Sequence, residues 1–277
     1  MKKIIIQGDD WGYKPEANHG IEYAYENGIL TQTTVMANVL DIKKKEIYRN
    51  QIQGLKNKTE LKKPALGIGV HLNLTFGKPL SPNWPQKEFN RPLRGSNNPE
   101  EWKGSTWRDY FSKFTPKQVE EEYRRQIELV MEIFGRISHL DSHQMTASYK
   151  PMIEIYEMLA KEYNLPIRPV APLSENPVYG GDFVVDENVN KKLIKRNVRM
   201  PHKNIFTLFF NKKDPVKSFL SQIEKSKNEE ITEVMFHPAT GKNADKWRLV
   251  DLNILTNQEV LKYFKENNIK LLNYHQV

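Results

Sequence analysis

KIIIQGDDWG, residues 3–12, sets three isoleucines in a row (Ile4, Ile5, Ile6) and then two adjacent carboxylates, Asp9 and Asp10. An unbroken apolar run of this length suits a strand buried on both faces, as parallel sheets bury theirs. In parallel α/β folds, ligands gather just beyond the C-terminal ends of strands. Two acids side by side at such a place repel, which raises one pKa. A bound cation removes that cost: one aspartate serves as ligand and the other stays free to act as a base. The plainer alternative is a turn carrying two solvated acids.

Composition narrows what can surround this stretch. The chain has 277 residues, 38% hydrophobic and 27% charged, which is enough for a real core. It is long for one average domain, but single α/β barrels reach this size. It has no cysteine, so disulfides and thiolate metal sites are excluded; any metal must use His, Asp, Glu or backbone oxygen. The first apolar run is too short for a signal peptide or a membrane span, so the expectation is a soluble cytoplasmic protein with no membrane partner. The formal charge of +8 is spread over small clusters such as Lys43-Lys44-Lys45. A nucleic-acid binder would show a basic face interleaved with aromatics. The basic residues read as solvated surface, with at most a mild attraction for anionic ligands.

Further strand-like runs end as the first one does. Gln32–Asn38 (QTTVMAN) is rich in β-branched residues. Leu66–Leu74 (LGIGVHLNL) carries His71 near its end, and Ile137–His143 (ISHLDSH) carries His139, Asp141 and His143. Strand alternation places those last three on one face if the strand stays regular, and a carboxylate between imidazoles can orient a ligand histidine. Leu165–Val170 has Arg168 near its end, able to clamp a ligand or pair with a carboxylate. Glu233–Phe236 is followed directly by His237. In a closed parallel barrel all these ends share one rim. Ile269–Leu272 closes the chain as a strand.

The helices are marked by their caps. Pro15 opens one that stops at Asn27-Gly28. Val39–Leu55 has helical spacing. Thr115-Pro116-Lys117-Gln118 is a capping box with proline at the first position, and Thr256–Glu259 is another, opening a helix to about Asn268. A long irregular insertion at about 78–114 holds Trp84, Trp102 and Trp107. A loop of that length is a lid or binding loop when it is ordered. Its tryptophans either face sugar rings or pin the loop to the body. No Walker motif, dinucleotide-binding glycine motif or Gly-x-Ser-x-Gly elbow occurs in the right context.

In this order, IIIQGDDWG, NHGIEYAYENGILTQTTVMAN, GIGVHLNLTFGKPL, SHLDSHQ, the surroundings of Arg168, and FHPA followed by RLVDLNILT resemble the YdjC-like carbohydrate deacetylases, the group that includes chito-oligosaccharide deacetylase. The resemblance runs from the first residues to about Thr256. It implies a deformed (β/α) barrel related to the polysaccharide deacetylases, with residues 1–277 forming a single catalytic domain. It implies one divalent ion, Mg2+ or Zn2+, held by Asp10, His71 and His143, and no organic cofactor. Asp9 would be the general base acting on the water that the ion activates. His237 would be the acid or a stabiliser of the oxyanion, and Arg168 and Asp141 would orient the site. The substrate would be an N-acetylated sugar or oligosaccharide, cleaved to acetate and a free amine, and the protein would be a dimer.

Two features depart from the family pattern. Met145 and Ala147 stand where further histidines are expected, and Trp11 replaces a phenylalanine. The first departure keeps two rivals open. One is a non-catalytic sugar-binding homologue; the other is a hydrolase of a different acylated or phosphorylated sugar on the same scaffold.

Overall fold

The computed structural model describes residues 1–89, 110–170, 188–205 and 208–277. Among the described residues, seven strands form one sheet: β1 (Lys3–Trp11), β2 (Gln32–Val35), β3 (Gly67–Leu72), β4 (Leu140–Ser142), β5 (Lys203–Ile205), β6 (Ile231–Phe236) and β7 (Lys270–Leu272). The order is β4-β3-β2-β1-β6-β5, with β7 also on β1, and every pairing is parallel. One edge of β1 is shared: Lys3–Ile5 pair with β7, and Gln7–Trp11 pair with β2.

Beyond β4 the wall continues through single links. Leu140 bridges Ile167, Arg168 N donates to Leu140 O at 3.0 Å, and Ile167 N donates to Arg199 O at 2.9 Å, shortly before β5. The result is the expected deformed barrel. Its weak wall falls where Leu165–Val170 was expected as a strand. Pro166 and Pro169 remove two backbone donors from that run, so only the bridge at Ile167 survives.

The helices are α1 (Pro15–Asn27), α2 (Lys45–Gln53), α3 (Pro116–Phe134), α4 (Ile153–Glu162), α5 (Val189–Lys195), α6 (Pro215–Glu224), α7 (Lys246–Thr256) and α8 (Gln258–Glu266). Among the described residues, no helix is long and apolar enough to cross a membrane. The expected capping box opens α3: Thr115 Oγ1 accepts from Gln118 N, and the Gln118 side chain returns the bond. At the other expected box the cap moves by one residue. Thr256 still belongs to α7 and its hydroxyl donates back to Leu252 O at 3.0 Å, while Asn257 caps α8. The stretch Val39–Leu55 divides into short 3-10 turns before α2.

The isoleucine run is buried on both faces, as its composition demands. Ile4 and Ile6 join the large core between sheet and helices. Ile5 joins Leu272 and Tyr274 in a small cluster on the other side. Trp11 meets Tyr48 and Phe134 edge-on at 5.7 and 5.6 Å, so tryptophan here is a core-packing choice. In the 78–114 insertion, Trp84 is buried against Phe89 and Phe114 and pins the start of the loop to the body. Trp102 and Trp107 lie outside the described residues.

Candidate functional site

The site begins with an irregularity in β1. Gly8 pairs with Thr33 and Trp11 with Val35, so three steps along β1 match two along β2. One residue is therefore extra, the signature of a bulge. Asp10 sits in it with φ +76, in the left-handed region that aspartate tolerates better than most residues. On a regular strand Asp9 and Asp10 would face opposite sides. With the bulge, both carboxylates reach the same mouth of the barrel.

Around that mouth the seven residues singled out from the sequence come together. His71 Nε2 lies 3.2 Å from Asp10 Oδ1, and His143 Nδ1 lies 3.0 Å from the same oxygen. His71 Nδ1 meets Asp141 Oδ1 at 2.6 Å, which fixes the ring and turns its other nitrogen towards Asp10. Thr34 Oγ1 donates to Asp141 Oδ2 at 3.1 Å. Arg168 grips Asp9 with both terminal nitrogens, each at 2.8 Å. The same guanidinium reaches Asp141 Oδ2 and, through Nε, Glu233 Oε1, both at 3.0 Å. His237 Nε2 stands 3.8 Å from Asp9 Oδ2.

His139 and Asp141 both take part in the buried network, as alternation predicts, but His139 is not part of the mouth. Its ring stacks on Tyr274 at 3.7 Å between centroids, and its Nδ1 lies 3.2 Å from Gln32 Nε2. Gly69 is required beside it, since a Cβ there would come within 2.3 Å of the His139 ring. His143 lies one residue past the end of β4, at the start of a turn in which Gln144 and Met145 both have positive φ (53 and 55). Met145 and Ala147 line a small cavity of about 10 Å3 together with Arg168. Their identity therefore alters the surroundings of Arg168 and leaves the Asp-His-His set intact.

Three polar partners were not foreseen. Glu233 is fully buried and accepts from Arg168, from Tyr274 Oη at 2.8 Å and from Asn204. Arg248, on α7, donates to Asp10 Oδ2 at 2.6 Å. Asp251, one turn further on, accepts from His237 N at 2.8 Å.

The charges explain one another. Burial alone would raise Asp9, but the Arg168 charge and its paired hydrogen bonds hold it well below the usual carboxylate range. Asp10 is likewise held low against its burial, by His143 and Arg248. Burial disfavours a charged His71, yet the Asp141 carboxylate and the bonds to both acids lift it to about 10. Burial pushes His237 down to about 4 and lifts Glu233 and Asp251 to about 7 each. Among the described residues, five buried carboxylates (Asp9, Asp10, Asp141, Glu233, Asp251) face two buried guanidiniums (Arg168, Arg248) and the cationic ring of His71.

That excess of negative charge suits a cation, and so does the donor set. The candidate ligand atoms of Asp10, His71 and His143 lie within 4.8 Å of one another. A carboxylate with two imidazoles is an accepted set for several divalent ions, and a carboxylate behind a ligand histidine is its usual support. Asp9, His71 and Asp141 cluster as closely. There, however, Arg168 already occupies both Asp9 oxygens and one of Asp141, so a cation would sit against a guanidinium.

A model of the YdjC-like protein family matches residues 3–266. Carbohydrate deacetylase from Thermoanaerobacter pseudethanolicus is 29% identical, covering 99% of this chain and 98% of its own length. The carbohydrate deacetylase of Brevibacillus brevis is 27% identical over 99% of both chains. Among solved structures, a protein titled as a cellobiose-phosphate cleavage protein from Enterococcus faecalis superposes with a TM-score of 0.73 at 25% identity. It covers 99% of this chain and 98% of that one.

Proposed function

The chain belongs to the YdjC-like protein family, and from that premise we propose that it is a divalent-metal-dependent hydrolase that removes the acetyl group from an N-acetylated sugar. The observation that carries this reading is the convergence of Asp10 Oδ1, His71 Nε2 and His143 Nδ1 on one point, with a separate, paired carboxylate, Asp9, beside it. The relatives named carbohydrate deacetylase support the substrate class.

Asp10, His71 and His143 would hold the ion, which when bound supplies a Lewis acid and lowers the pKa of water. Asp9 is the base. Arg168 fixes both its oxygens and keeps it ionised, and Oδ2 lies 3.8 Å from His237 Nε2. The proton of the attacking water goes to Asp9. His237, neutral near pH 7 because burial disfavours its charge, offers an N–H to the oxygen that gains charge. Asp9 then gives the proton it took from water to the leaving nitrogen, the carbon–nitrogen bond breaks, and acetate and the free amine result. General acid–base steps of this kind contribute about 10²–10⁴-fold.

The test is acetate release from a panel of acetylated and phosphorylated sugars, with the metal content of the same samples measured by elemental analysis. Wild type should contain one divalent ion per chain and release acetate. Asp9→Asn should keep the ion and lose turnover. Retained turnover in that variant removes Asp9 from its role. The second reading, a hydrolase of a phosphorylated sugar, is favoured by the name of the Enterococcus faecalis structure. It gains if phosphate, not acetate, is released.

A further inference from the structure

Asp10 divides its carboxylate between two tasks. Oδ1 faces both histidines, at 3.2 Å from His71 and 3.0 Å from His143. Oδ2 faces neither of them closely; it accepts from Arg248 Nη2 at 2.6 Å. The guanidinium is itself held from several sides. Its central carbon lies 4.5 Å from the Trp247 ring centroid and 5.4 Å from that of Tyr13, and Nη1 lies 3.5 Å from His237 O. Arg248 is only 7% exposed. A planar cation held against aromatic rings gives up little further freedom when it makes a hydrogen bond, which separates arginine from lysine at such a position.

We infer that Arg248 is a positioning residue for the metal ligand. It reserves Oδ2 and so presents Asp10 as a one-oxygen donor aimed between His71 and His143. This rests on the cation reading given above and adds to it. The strained conformation of Asp10, φ +76, makes the support necessary: a carboxylate on an irregular backbone turn has no strand geometry to aim it. The position is also economical in contacts. One side chain touches the ligand Asp10 and the carbonyl of His237, tying together the ends of the neighbouring strands β1 and β6.

The test is calorimetric titration of the full chain with Zn2+ alone and with Mn2+ alone, for wild type, Arg248→Lys and Arg248→Gln, with thermal melts of the metal-free proteins in parallel. Partners behind a metal ligand are typically worth ~10–100-fold in affinity, so both variants should bind about 10-fold more weakly or worse. Lysine fails to rescue because it restores charge without the fixed plane. Where Arg248→Gln does not fold, Trp247→Leu removes one ring from the clamp and should weaken binding in the same direction. An Arg248→Lys isotherm matching wild type overturns the inference, as does tighter binding by Arg248→Gln, which would make the arginine only a repelling charge. A wild type that binds neither ion overturns the cation reading itself.

Discussion

Arg168→Met should cost about 3–5 kcal/mol at pH 7, the range for breaking a buried ion pair. The side chain makes two hydrogen bonds to Asp9 at 2.8 Å, one to Glu233 at 3.0 Å, and an ion pair to Asp141 at 3.0 Å. Hydrogen bonds to charged groups are worth ~1.5–3 kcal/mol each, so the gross loss exceeds the net. What limits the net is protonation, because an abandoned buried carboxylate takes up a proton, at ~1.4 kcal/mol for each unit between its ordinary pKa and the pH. The loss therefore shrinks as pH falls. The sign is that of the abandoned acids: without the guanidinium that holds Asp9 low, burial alone acts on it and raises its pKa. A group raised in this way keeps its proton in the folded state, so the variant loses stability as pH rises through the window between the ordinary and the raised value. Urea denaturation at pH 5, 6.5 and 8 reads both effects. Arg168→Lys should fall between methionine and wild type, since it keeps the charge and loses the fork. A loss below ~1 kcal/mol at pH 7, or equal losses at pH 5 and pH 8, would refute the view that Arg168 neutralises three buried acids.

Asp251 has its folded pKa raised by burial to about 7, so between its ordinary value and 7 the folded state holds a proton the unfolded state lacks. Stability from this group is present at low pH and declines as pH rises through that window, by at most ~1.4 kcal/mol per pH unit. Asp251→Asn should flatten that part of the curve in denaturant titrations; an unchanged slope refutes the assignment. Gly69→Ala sets a Cβ within 2.3 Å of the His139 ring and 2.8 Å of Thr34 Cγ2, and should lose ~1–3 kcal/mol as an overpacked site does. Unchanged thermal and urea midpoints would show that the barrel floor yields.

Much of the site was legible because strand ends announce themselves. Ile4–Ile6 had to be buried on both faces, and polar groups set just past such runs (Asp9, Asp10, His71, His143, His237) had one rim to share. Arg248 and Glu233 were not legible, for a physical reason. Each is a charged residue in an ordinary element, and a charge on a helix or in a short strand reads as solvated surface. Here the buried face of α7 consists of Arg248, Asp251, Ile254 and Leu255. Half of that face is polar, so it shows no apolar stripe. The bulge at Asp10 was equally hidden, since the sequence Gly-Asp-Asp-Trp fits a regular strand end as well as an irregular one. The cap of α8 moved to Asn257 because two capping residues adjoin, and only the geometry of the preceding helix decides between them.

The extra residue in β1 makes two chemically different parts into one mechanical piece. Asp9 and Asp10 hang from the same kink, one leashed to Arg168 and the other to Arg248. Under the proposed reading, an ion of a different radius that draws Asp10 inward must drag its neighbour along. Selectivity among metals and strength of the base would then be inherited together, and a variant selected for one would carry the other as a passenger.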